Sequence, residues 1–206
     1  MRRFRLAALL ALGFAVGCGP VDQDNPDPTD PTNPDAGGTS EEIEEVRSSE
    51  QRISNPQVPQ TRLEKLTADN AAFALDLYSE VAKKEEGKNF FYSPHSISSA
   101  LAMTYAGMEG SSETQTKQAL HFGLPENELH PAFNKLDLEL EKRATQASSN
   151  KKGSPFKLEV ANSIWGQQGY PFKQPFLDTL AKNYGAGLRA VNFADKPDVA
   201  RKAIND

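Results

Sequence analysis

One cysteine in 206 residues, Cys18, leaves no disulfide to be closed within the chain. Histidine is almost as scarce, limited to His95, His121 and His130. On the sequence alone none of the three is read with a ligand at helical spacing, which argues against a His-based metal centre. The nucleophile elbow G-x-S-x-G, the zinc signature H-E-x-x-H, the Walker loop and the dinucleotide fingerprint G-x-G-x-x-G are all missing. No enzymatic activity, cofactor or metal is therefore expected. His95 beside Ser93 and Ser96 lacks a third group or an oxyanion site, and is read as a cap histidine pointing outward, not as half of a catalytic pair. Basic excess is lacking as well: residues 61–206 hold eighteen charges of each sign. The mixed charges at Glu139, Glu141, Lys142, Arg143, Lys151 and Lys152 read as a solvated face. Nothing in that balance suits a nucleic-acid partner.

Apolar residues make up 37% of the chain, low for a wholly globular protein. The shortfall is concentrated in residues 19–62. This stretch has almost no aromatic or branched aliphatic side chains to offset the entropy of ordering, so it is expected to be a disordered tether. It is acidic, with ten Asp or Glu against Arg47 and Arg52 between residues 19 and 60. Pro26, Pro28, Pro31 and Pro34 recur among its aspartates. Proline and like charge both extend a chain, giving some forty residues a reach of roughly 35 Å or more.

Residues 1–18 begin with Arg2, Arg3 and Arg5, continue through an apolar run and end on small residues before Cys18. This is the pattern of a secretory signal, and its run is short for a bilayer span. Ala15-Val16-Gly17-Cys18 resembles the lipobox of bacterial lipoproteins, which implies a diacylated Cys18 at a new N-terminus. The resemblance implies an exported protein held by lipid on an outer membrane or cell surface. Gly19 is not the aspartate that resembles an inner-membrane retention signal.

From Thr67 the pattern turns amphipathic. Asn70, Phe73, Ala74, Leu77, Tyr78 and Val81 share one helical face, and Gly87 offers a stop. Asn89-Phe90-Phe91-Tyr92 predicts a short aromatic strand. Ser93-Pro94 then opens a helix with a serine cap and proline at its first position. That helix carries Ile97, Ala100, Leu101, Ala102, Met103, Tyr105, Ala106 and Met108 around its whole circumference, so other layers must surround it.

A short polar helix is predicted from Ser112, and another follows around Phe133, Leu136 and Leu140. Residues 156–166 alternate as a strand, with Asn162 the one polar residue on the apolar face, where it must find hydrogen bonds. A helix through Phe172, Phe176, Leu180 and Tyr184, a strand at 188–193 and a helix from Pro197 complete the pattern.

This order of segments resembles the N-terminal part of the serpin family. The resemblance rests on Asn89 to Ile97, on Ala100-Leu101-Ala102-Met103 with Gly107, and on Thr114-Gln115. Ala161-Asn162-Ser163-Ile164-Trp165 and Val191-Asn192-Phe193 resemble two strands of the family's main sheet. The resemblance covers residues 63–206 and implies an α+β fold: helices around a buried helix, with strands of a largely antiparallel sheet.

It also implies a monomeric inhibitor of serine or cysteine proteases. In that family a cleaved reactive loop inserts into the sheet as a new strand and traps the acylated enzyme. Ser93, Ser96 and Asn162 match the family's shutter, where small hydroxyl groups exchange hydrogen-bond partners as strands part. The reactive-site bond is expected beyond this chain, which is read as a fragment of a longer protein. A non-inhibitory binding module and an inactive remnant are the alternatives.

Overall fold

The computed structural model describes residues 43–149 and 161–205. Its elements run β1 (Glu44–Val46), α1 (Gln60–Lys84), α2 (Pro94–Tyr105), α3 (Gly110–Ala119), α4 (Glu126–Ser149), β2 (Ile164–Gln167), α5 (Gln174–Tyr184), β3 (Leu188–Val191) and α6 (Pro197–Asn205). They divide into two compact units.

The larger unit, Val46–Ile164 with Pro171–Leu188, is helical. Its core joins Leu66 and Phe73 of α1, Ala102 and Tyr105 of α2, and Leu129, Ala132 and Phe133 of α4. Leu120, Phe122 and Leu124 fill the turn between α3 and α4. Phe122 meets both Tyr105, at 5.3 Å, and Phe133, at 5.9 Å, edge to face. Such geometry adds about 0.5–1.5 kcal/mol per pair to the area term. No residue of α2 is exposed, as its all-round apolar pattern predicts. α5 ends on Gly185, whose φ of 62° is a left-handed cap that glycine adopts without a Cβ penalty.

The smaller unit holds residues 43–45, Trp165–Tyr170 and the chain from Arg189. The three strands form one sheet in the order β1-β3-β2. Within this unit the Arg189 guanidinium lies over the Trp165 ring at 5.3 Å, and Ala190, Val191 and Ala200 are buried. The α+β class is the one that the resemblance implies.

The structure departs from the sequence reading at several points. Residues 43–62 are not a free tether: β1 joins the sheet, Pro56 is buried, Val58 packs on the core and α1 already starts at Gln60. The Ile53 amide donates to the Lys182 carbonyl at 2.9 Å. Composition misses this because the segment is held by contacts with other elements and not by a core of its own. Residues 89–92 form no strand. Phe90 instead stacks between Tyr78 and Tyr92, and Phe91 is exposed.

α3 starts two residues early, at Gly110, with no side-chain cap. α4 starts at Glu126 and carries Pro131 inside it. Cys18, the signal, residues 19–42 and the first half of the predicted strand at 156–166 lie outside the described residues.

Candidate functional site

The foot of α2 is set by local chemistry. Ser93 is extended, and its Oγ accepts from the Ser96 amide at 3.3 Å while lying 2.9 Å from the Ser96 Oγ. Pro94 follows at the first helical position, where its missing amide costs nothing. A cap of this kind is worth about 1 kcal/mol. The two hydroxyls therefore hold one another at the entry of the most enclosed helix of the larger unit, and either oxygen of the pair can donate.

One turn further, the sequence reading missed two residues. Ser98 and Ser99 are 0% and 2% exposed, as deep as Ala102, Met103 and Tyr105 and deeper than Ile97, Ala100 and Leu101. Ser98 donates to Asn70 Oδ1 of α1 at 2.7 Å. Ser99 lies with Met103 on the wall of a cavity of about 150 Å³, which Asp137 and Leu140 of α4, Tyr184 of α5 and Asn162 also line. The structure thus brings Ser93 and Ser96 together, and places Asn162 at the cavity wall with Ser99. Neither Ser93 nor Ser96 lines that cavity. The spacing of Ser96 to Ser99, three residues on a helix, is the signal that could have found the second hydroxyl.

Around the cavity mouth runs a charged network that the sequence did not reveal. Its centre is Arg52, from the stretch read as tether. Arg52 Nε donates to Asn134 Oδ1 at 2.9 Å, Nη1 reaches Glu141 at 3.2 Å and Nη2 stands 3.6 Å from Asp137. Asn134, fully buried, donates in turn to the carbonyls of Ile53 and Lys182.

His95 is corrected here. It does not point outward: its Nε2 lies 3.2 Å from Asp137 Oδ1 and its ring stacks on Phe133. The first turn of α2 is therefore tied to α4 through an imidazole. The geometry suits a polar hinge, in which hydroxyl, imidazole and carboxylate groups can change partners. A purely apolar contact would have to be broken outright.

A second polar group lies under α4 and α5. His130 Nδ1 is 2.7 Å from the Tyr184 hydroxyl. Burial lowers the His130 pKa to about 4, so the ring is neutral at physiological pH, and burial likewise pushes the Tyr184 hydroxyl well above its usual range. Among the described residues no three His, Cys, Asp or Glu side chains converge on a metal site, and no helix is long and apolar enough to cross a membrane.

Comparison with known proteins accords with this geometry. The family described as Serpin (serine protease inhibitor) matches residues 68–206. An uncharacterized serpin-like protein of Methanosarcina acetivorans is 35% identical over 143 residues, covering 68% of this chain and 32% of that protein. The leukocyte elastase inhibitor of Sus scrofa is 39% identical over 144 residues, covering 70% of this chain and 35% of the inhibitor. A solved structure described as that of a tumour suppressing serpin superposes with a TM-score of 0.58 at 23% identity, over 69% of this chain and 36% of its own. The chain spans about a third of the length of the relatives it matches.

Proposed function

The chain belongs to the serpin family, and on that premise we propose that the protein to which it contributes is a protease inhibitor of the suicide-substrate type. A serine or cysteine protease would cleave a reactive loop, and the loop would then enter the main sheet while the acylated enzyme is still attached. The family match across residues 68–206 carries this reading. The hydroxyl pair Ser93 and Ser96 supports it, because each oxygen can surrender its present partner for another as strands move past the foot of α2. Asn162, beside Ser99 at the cavity wall, offers a third exchangeable group near that path.

The same reading sets the protein on a membrane. Ala15 to Cys18 has the lipobox pattern, so Cys18 would carry the lipid and the acidic, proline-rich stretch after it would hold the inhibitor away from the surface. The partner there would be an exogenous or self-secreted protease meeting a monomeric trap.

The test is to incubate the full-length protein with a panel of serine and cysteine proteases and to run the mixtures under denaturing conditions. An SDS-stable adduct of one protease with one inhibitor is the expected result. Cleavage with no adduct for any protease would overturn the inhibitory reading in favour of a non-inhibitory binding member.

A further inference from the structure

Asp137 of α4 is claimed from two sides. Its Oδ1 lies 3.2 Å from His95 Nε2 on the first turn of α2, and its Oδ2 lies 3.6 Å from Arg52 Nη2. A carboxylate only accepts, so Nε2 is the imidazole nitrogen that donates. Hydrogen bonds to an ionised carboxylate close to about 2.7–2.9 Å, and neither contact has done so. Arg52 Nη2 is a buried donor left without a hydrogen-bond partner, although Nε reaches Asn134 and Nη1 reaches Glu141. The three side chains are between 18% and 27% exposed, so water screens these pulls only in part.

Neither claimant is free to come closer. His95 is fixed by its place on α2 and by its stack on Phe133. Arg52 is fixed by its own segment: the Ile53 amide donates to the Lys182 carbonyl at 2.9 Å, the Ile53 carbonyl accepts from Asn134 at 2.8 Å, and Glu50 pairs with Lys182 at 3.2 Å. Further along, Ser48 donates to Asp178 of α5. The mobile member is the short Asp137 side chain, whose two oxygens move as one rigid carboxylate between two posts. Open distances on both sides are what a shared acceptor under two pulls leaves.

We infer that residues 48–58 act as a docked strap that, through Arg52, draws Asp137 off His95 and keeps the first turn of α2 looser than it would otherwise be. Arg52 and Asp137 are then positioning residues for Ser93 and Ser96, the hydroxyl pair that flanks His95. The bearing on inhibition rests on the reading above, in which strands move past the foot of α2. There a docked strap readies the hinge, and a strap drawn off stiffens it. A strap that merely braced the fold would act with the opposite sign, since its loss would loosen every element it touches.

The experiment is amide hydrogen exchange of the full-length protein, read at Ser96, whose N–H donates to Ser93 Oγ, and at Ile97, whose N–H donates to the Ser93 carbonyl. Amides of a first turn exchange by local fraying, so they report the hold on that turn and not global stability. Arg52→Ala should slow both by roughly threefold or more, the worth of one better-closed hydrogen bond. Ser48→Ala, which cuts the bond to Asp178 and leaves Arg52 in place, should slow them in the same sense but less. In an Asp137→Asn background neither substitution should slow them. The Leu120 amide at the end of α3, held by the Thr116 carbonyl, should slow in no variant. If Arg52→Ala loses the native circular dichroism, Ser48→Ala decides alone. Unchanged or faster exchange at Ser96 and Ile97 in either variant that folds, slowing that persists with Asp137→Asn, or slowing shared by Leu120 overturns the inference. No protease enters this test, so its failure is distinct from a failure to form an adduct.

Discussion

At the scale of single residues the largest surprises are polar. The sequence pattern finds the apolar positions of α2 and their all-round burial. It cannot see that Ser98 and Ser99 lie deeper than Ile97 or Leu101, because a serine is small enough to be buried by its neighbours once a partner such as Asn70 satisfies it. His130 is a case of the same kind with a measurable consequence. Its pKa is about 4 in the fold and near 6.5 in an unfolded chain, so the unfolded state binds the proton first as pH falls. The contribution of His130 is fully present above pH 6.5 and is lost as pH drops towards 4, by about 3 kcal/mol across that gap. Glu126, whose pKa is raised, acts in the opposite sense at the acidic end, and its half-exposed carboxylate makes that term the smaller. Urea midpoints measured from pH 8 to 5 should fall. A flat profile across that range would mean that the ring reaches water.

At the scale of elements, helices were legible and their boundaries were not. The periodicity of α1, the serine cap of α2 and the glycine stop of α5 all mark real elements, since each is decided within a few residues of chain. The strand expected at 89–92 fails because strand formation needs a neighbour that local sequence does not supply, and Tyr92 spends its hydroxyl on the Ala74 carbonyl of α1. The misread tether shows the same limit. A stretch too polar to fold alone is held because Arg52 reaches Asn134, Asp137 and Glu141 on α4. Most of that hold comes from the arms toward Asn134 and Asp137, since Glu141 is exposed and its pair is worth little. Arg52→Ala would leave Asp137 with His95 as its remaining partner in this network, and should cost about 1–3 kcal/mol in a denaturant titration. It should also speed hydrogen exchange at the Ile53 amide. A loss below about 0.5 kcal/mol with no change in that exchange would mean that backbone contacts alone hold the segment.

At the scale of the whole molecule, family membership was legible in segment order, whereas the placement of Asn162 with Ser99, away from Ser93 and Ser96, was not. The remaining question is whether anything joins the fold to a surface. Residues 43–62 are engaged with helices and sheet, so the linker proposed between lipid and fold is no longer than residues 19–42. Whether it ends on a membrane turns on Cys18. Each buried methylene of an acyl chain is worth about 0.8 kcal/mol; one chain binds only marginally, and two give a lasting anchor. Diacylation of Cys18 therefore predicts that the native protein sediments with membranes, resists extraction by salt and is released by detergent with a mass raised by lipid. Salt resistance separates this from charge, because an acidic linker is repelled by anionic headgroups and any electrostatic attachment would be screened. Cys18→Ala should send the exported protein into the soluble fraction while leaving the far-ultraviolet circular dichroism of the fold unchanged, since the substituted residue precedes every described element. Equal partition of both forms into the soluble fraction would place the signal's cleavage elsewhere and make the protein a freely diffusing one.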